Sequence, residues 1–336
     1  KMGYFNLTSN TRQGGRSASP WAAQAVVIAL TVIVALFAGA QTVLADGSGN
    51  TDQADNDCMQ DNAGFSLNCV ANDVSIAGVA DLDNNGEPDI TITDDGCAFP
   101  GDTVTFDVRF EVLVTAQARH DIGMWFATSG ANSNGALTGS CTAGTPAYAP
   151  DPPWLDLDGT SDDPGGIIQD TCGDIDASHN PLFPEMTITA DCIAGPDGNL
   201  SLPYCTSWRQ PGANGLCTSP LQAFPGAPSK CRCDEGFTVP IRVPGFITVD
   251  KVALDGNGSP LPGDPTLFDF SISGPDVGPV NPALPDDFQL ADGDEHTSPP
   301  LETTDADGNV VGPYQVTETT PGHWDLVSAS CTRDKA

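Results

Sequence analysis

The sequence predicts a mainly β fold: a disulfide-rich, β-sandwich-like domain followed by a second, smaller β-sandwich. Three observations predict it. The 36 glycines and 29 prolines punctuate short apolar runs instead of long helical periods. Several runs alternate apolar and polar residues with the period of a half-buried strand. Finally, the 11 cysteines all follow residue 57, in a chain that otherwise reads as exported and therefore oxidised.

The elements follow in chain order. Residues 1–45 carry Lys1, Arg12 and Arg16 but no acid, and run into an apolar stretch from Trp21 to Ala45. That pattern is an export signal, with small-residue cleavage sites after Ala40 and Ala45, or an uncleaved N-terminal anchor of bilayer-spanning length. Either form puts the rest outside the cell, secreted or held at the surface. That remainder holds all 45 acidic residues and nine of the 12 basic ones. Such a surface repels phosphate, which excludes nucleic acid and anionic lipid as partners and leaves the N-terminal segment, or an anchor beyond residue 336, as the means of membrane contact. The acidic excess suits divalent cations or plain solvation.

Residues 46–245 read as a cysteine-rich β domain. Asp81, Asp83, Asn85 and Asp89 place oxygens at alternate positions around Gly86, a spacing that suits calcium or an ordinary Asx-rich turn. An EF-hand would need a carboxylate where Ile92 stands, so the match is partial. A second acidic loop, Asp305, Asp307 and Asn309 around Gly308, reads as a hairpin turn. The clearest strand is Thr103 to Val114, with Val104, Phe106, Val108, Phe110, Val112 and Val114 on one face. From 130 to 236 the pattern weakens into loops that disulfides would brace, with Tyr204, Trp208 and Phe224 available either to a glycan or to packing. The ten cysteines from Cys58 to Cys233 allow five bridges of unknown connectivity, and Cys331 is left over, with a partner past Ala336, a free thiol or an intermolecular bridge as its fates. Alternation returns at Phe237, Val239, Ile241 and Val243, and Pro244-Gly245 marks the boundary.

Residues 246–336 carry Ile247-Thr248-Val249-Asp250-Lys251-Val252, then Phe268-Asp269-Phe270-Ser271-Ile272, then Gly312-Pro313-Tyr314-Gln315-Val316-Thr317-Glu318-Thr319 before Pro321 and Trp324. This resembles a prealbumin-like, collagen-adhesin B-type domain, a small β-sandwich of bacterial surface proteins. Residues 46–245 are similar to uncharacterised secreted bacterial proteins, which implies nothing about mechanism. Independently of the family, alternation puts Ile247, Val249 and Lys251 on one face, and Tyr314, Val316 and Glu318 on one face of another strand. A buried Lys beside a buried Glu is costly unless the two pair, and burial lowers the amine's pKa and raises the acid's. The resemblance implies that Lys251 and Glu318 match an autocatalytic isopeptide pair, in which the amine attacks an Asn or Asp of the last strand. No acceptor is identifiable, and that strand is expected past Ala336, leaving the sandwich incomplete. The alternative is an edge ion pair.

Enzyme signatures are thin: His120, His179, His296 and His323 are scattered, and no nucleophile elbow or phosphate loop is present. The reading is a non-catalytic secreted or cell-surface structural or adhesive protein of a bacterium, with calcium as its one possible cofactor and extracellular matrix, glycan or other surface proteins as partners. Its rivals are a calcium-dependent carbohydrate-binding module, an extracellular fibre subunit whose open edge accepts a neighbour's strand, and a secreted hydrolase.

Overall fold

A computed structural model describes residues 3–13, 30–31, 58–99, 101–129, 137, 139–146, 157, 172–211, 217–275, 284–303 and 311–335. Two strands, the long β1 (Gly3–Gln13) and the short β2 (Leu30–Thr31), precede a one-turn helix α1 (Met59–Ala63). Then come β3 (Val74–Val79), β4 (Ile90–Ile92), β5 (Thr103–Val114), β6 (Ala118–Ala127), β7 (Cys141–Gly144), β8 (Ile175–Asp176), β9 (Glu185–Asp191), β10 (Asn199–Ser201), β11 (Tyr204–Arg209), β12 (Cys231–Asp234) and β13 (Thr238–Arg242). The last six are β14 (Phe246–Leu254), β15 (Phe268–Ser273), β16 (Asp286–Leu290), β17 (Glu295–Thr297), β18 (Gln315–Thr319) and β19 (Trp324–Lys335).

The disulfide-rich part is a sandwich. One sheet centres on β5, which pairs with β3, β4 and β9; the other runs β12–β11–β6–β7, with β8 also on β6. β5 alternates along its whole length, as the sequence predicts, with Val104, Phe106, Val108, Phe110, Val112 and Val114 buried and the residues between them turned toward solvent. Between the sheets, Phe110 stacks on Phe126 at 4.7 Å, and Tyr204 meets Phe237 edge-on at 5.0 Å. The Tyr204 hydroxyl donates to the Ile76 carbonyl at 2.9 Å and accepts from the Ile76 N–H at 3.1 Å, which lets a phenol lie fully buried.

Among the described residues of 130–236 the loops are interleaved with strands that the sequence did not reveal: β9 pairs along β5, and β11 lies in the middle of its sheet between β6 and β12. β11 was hidden because its sheet is covered on both sides. Met124, Phe126, Tyr204 and Trp208 face the inter-sheet core, while Trp125, Cys205 and Cys231 face a second cluster with Met59, Leu67 and Cys58. A strand buried on both faces has no reason to alternate. Gly123 in β6 is needed there: a Cβ would collide with the Ala223 carbonyl and the Ser207 hydroxyl.

All ten cysteines from 58 to 233 are paired, as the even count predicts: Cys58–Cys141, Cys69–Cys231, Cys97–Cys192, Cys172–Cys217 and Cys205–Cys233. Cys331 is free and exposed on β19.

The C-terminal part is a second sandwich with its own core of Ile247, Val249, Ala253, Phe268, Phe270, Ile272, Tyr314, Val316 and Trp324. Its sheets run β17–β14–β1–β19 and β16–β15–β18–β2. β1 is thus an inner strand of the C-terminal sandwich, parallel to β14 and antiparallel to β19. The sequence reading assigned residues 3–13 to the export segment and gave them no place in a sheet. The apolar run Trp21–Ala45 lies outside the described residues except for Leu30 and Thr31, and among the described residues no helix is long and apolar enough to cross a membrane. The Asp305–Asn309 turn also lies outside them.

Candidate functional site

The Lys251 amine is held inside the second sandwich. Alternation along β14 turns Val249, Lys251 and Ala253 inward, and Lys251 is 1% exposed. Glu318 projects inward from β18 in the opposite sheet, and its Oε1 lies 2.8 Å from Nζ. β1 supplies the other two partners: the amine donates to Thr11 Oγ1 at 2.9 Å and to Ser9 Oγ at 3.4 Å. Ser9 in turn donates to Glu318 Oε2. Above them the Phe268 ring centroid is 3.9 Å from Nζ, a cation–π contact. Burial pushes the Lys251 pKa down, and the hydrogen bond and charge of Glu318 oppose it, with Asp292 adding a smaller opposing field.

The arrangement satisfies the amine's three donors with one carboxylate and two hydroxyls. Among the described side chains, Glu318 is the one carboxyl group bonded to the amine: the described inward β1 positions are Ser9 and Thr11, while Asn10 bonds Ser328 on the exposed side. β1 lies beside Lys251 and offers it the hydroxyls of Ser9 and Thr11. The amine does not reach out toward solvent: the Lys251 side chain is 0% exposed and that of Glu318 8%.

The acidic loop gathers its side chains around its own backbone. Asp81 accepts from the N–H groups of Asn85 (3.1 Å) and Gly86 (3.0 Å), Asp83 accepts from Asn85 N–H (3.2 Å), and Asn85 Oδ1 accepts from Glu87 N–H. Asp89 closes the loop by accepting from Leu82 N–H at 3.2 Å. Asn84, at φ 54°, takes the left-handed turn that Asn tolerates. Asp81, Asp83 and Asn85 are thereby brought together, while Asp89 stands at the loop's exit beside β4.

A buried charge cluster at the start of β6 escaped the sequence reading. Asp121 Oδ2 lies 2.9 Å from Arg209 Nη1, and His120 Nδ1 lies 3.4 Å from Asp174 Oδ2. Asp174 also accepts from the N–H groups of Asp121 (2.8 Å) and Leu157 (2.5 Å). The Asp121 carboxylate lies beside the sulfurs of Cys172 and Cys217, the only group of three such ligand atoms close enough for a metal among the described residues, and both sulfurs are consumed by their disulfide. The pairs join residues far apart in sequence, so no spacing rule could have found them; in the structure Asp121 is marked by its left-handed backbone, at φ 49°.

His179 comes closest to a nucleophile relay but fails on geometry. Ser178 Oγ (2.9 Å) and Asp176 Oδ1 (3.0 Å) both contact its Nδ1, whereas a triad histidine needs one partner on each nitrogen. Those contacts instead hold Asp176 at a pKa of about 2, chiefly through Ser178. The aromatic residues open to a glycan in the sequence reading are inside: Tyr204 and Trp208 are fully buried, and Phe224 is half-buried beneath Arg209.

No known protein family matches the sequence, and no curated protein does. Two solved chains are similar, both a bacterial adhesin from Mobiluncus mulieris containing intramolecular disulfide, isopeptide and ester bond cross-links. One is 11% identical, covering 78% of this chain and 96% of that chain, with a TM-score of 0.18. The other is 12% identical, covering 74% and 79%, also at 0.18.

Proposed function

We propose that this chain is a non-catalytic, exported structural or adhesive protein of the bacterial surface or matrix. It would comprise a cysteine-rich β domain over residues 46–245 and a prealbumin-like sandwich over 246–336. The observation that carries this reading is the pairing of all ten cysteines from 58 to 233 across separations of 28 to 162 residues. Bonds of that kind persist in an oxidising compartment, and they brace a scaffold whose loops bury little apolar surface. The buried ions support the same reading, because Lys251–Glu318 and Asp121–Arg209 are paired within the core instead of being turned toward a cleft. The partner class is an extracellular matrix component, a glycan or another surface protein.

The test is expression from the complete gene in a bacterial host, followed by fractionation and thiol labelling. Recovery outside the cytoplasm with one reactive thiol per chain supports the reading. Cytoplasmic recovery with ten reactive thiols overturns it, and turnover on polysaccharide or peptide panels, abolished by a single carboxylate or histidine substitution, would replace it with a hydrolase. Calcium at the Asp81–Asp89 loop is a second reading, favoured by the convergence of Asp81, Asp83 and Asn85 on one turn.

A further inference from the structure

β1 fills the interior of a sheet, yet it belongs to the part of the chain before the apolar run Trp21–Ala45. It pairs with β14 from Tyr4 opposite Phe246 to Arg12 opposite Leu254, and with β19 from Gly3 opposite Lys335 to Gln13 opposite Trp324. Among the described residues β19 pairs with no other strand. Removing β1 would leave β14 and β19 facing one another across a strand-wide gap, each with an unpaired row of backbone groups. No disulfide anchors β1, since all five lie between residues 58 and 233.

Export acting through the apolar run parts residues 1–20 from the sandwich, whether by cleavage or by leaving them across the membrane. We propose that the place between β14 and β19 is a strand-acceptor site, and that in the exported protein an extended segment of another polypeptide occupies it by β-augmentation. This rests on the export reading above. The occupant's chemistry follows from the site. It runs parallel to β14 and antiparallel to β19. It presents small hydroxyl-bearing residues at two alternate inward positions, where Ser9 and Thr11 now accept from the Lys251 amine. It is free of acids, as Gly3–Gln13 is, because the body it joins holds 45 acidic residues against 12 basic ones in the whole chain.

The test uses the full chain and a fluorescently labelled peptide with the sequence of Gly3–Gln13. β1 is hydrogen-bonded on both sides, so Leu7→Pro removes a ladder bond whichever way its N–H points and should release the strand. In the wild-type chain the tethered strand competes at an effective concentration on the order of millimolar, so the peptide should bind the Leu7→Pro chain at least roughly tenfold tighter than the wild type. A peptide itself carrying Leu7→Pro should bind neither. Equal binding to both chains, or to neither, overturns the proposal. If Leu7→Pro leaves residues 246–335 protease-sensitive throughout, a full chain with a protease site inserted between Gln13 and Pro20, cut after folding, decides the matter. Exchange of the resident strand for labelled peptide supports an acceptor site, and retention without exchange overturns it. A wild-type chain that runs as a dimer would assign the place to a second copy's Gly3–Gln13 and overturn the foreign-strand reading. None of these measurements depends on export, so their failure is separate from failure of the export reading, which signal-cleavage mapping tests.

Discussion

Glu318→Ala removes the charge in direct contact with a fully enclosed amine. In the wild type the Lys251 side chain is 0% exposed and that of Glu318 8%, with Nζ and Oε1 at 2.8 Å. Without the carboxylate the amine keeps two uncharged hydroxyls, the Phe268 face and the smaller, non-contacting field of Asp292. Breaking a buried pair from one side costs about 3–5 kcal/mol, so the variant's sandwich should lose about that much at neutral pH. The loss has a pH signature. Burial has already lowered the Lys251 pKa from 10.5, and without Glu318 it falls further, so raising the pH lets the folded variant hold a neutral amine that needs no counter-charge. Between the folded-state pKa and 10.5 the unfolded chain binds the extra proton, so stability climbs with pH across that window. The variant's deficit should therefore shrink toward pH 10, and Lys251→Met should lack that slope. The double change Lys251→Met/Glu318→Leu should recover to within about 1 kcal/mol of wild type, or exceed it. Urea unfolding read by pulse proteolysis within residues 246–335, in a Cys331→Ser background, measures all four chains. A Glu318→Ala loss below about 1 kcal/mol, or one that does not change with pH, would refute the reasoning.

Three further outcomes follow from the same geometry. Ser9→Asp places a carboxyl carbon against Nζ with Glu318 beside it; amide formation, with loss of one water, should give an intact mass one water lighter and a Lys251-containing crosslinked peptide, while Ser9→Asp/Glu318→Ala stays uncondensed. Cys97→Ala/Cys192→Ala opens a link of sequence separation 95 and should lower stability by about 2–4 kcal/mol in denaturant unfolding; a change under about 1 kcal/mol would mean the bridge braces nothing. Calcium at millimolar levels should stabilise the first sandwich by about 1 kcal/mol or less through the loop at Asp81, and Asp83→Asn should remove the effect; no shift in wild type would leave the loop an Asx turn.

What the sequence revealed depended on which faces were wet. β5 could be read residue by residue because one of its faces meets solvent. β6 and β11 could not, because Trp125 and Cys205 on the far face are as buried as Phe126 and Tyr204 on the near one. The inward direction of Lys251 and Glu318 was legible for the same reason as β5, from alternation along two strands. Their hydroxyl partners were not, because Ser9 and Thr11 lie 242 and 240 positions before Lys251 and on the far side of an apolar segment that reads as an export signal. The Asp121–Arg209 and His120–Asp174 pairs were hidden by the same long-range closure. Cysteine parity predicted how many bridges form, while their partners depended on strand order.

The central claim is a disulfide-braced β scaffold, and non-reducing peptide mapping with intact mass tests it most directly. The account predicts Cys58–Cys141, Cys69–Cys231, Cys97–Cys192, Cys172–Cys217 and Cys205–Cys233, with Cys331 alone alkylated before reduction. Free thiols among the ten, or a different pairing, would contradict it.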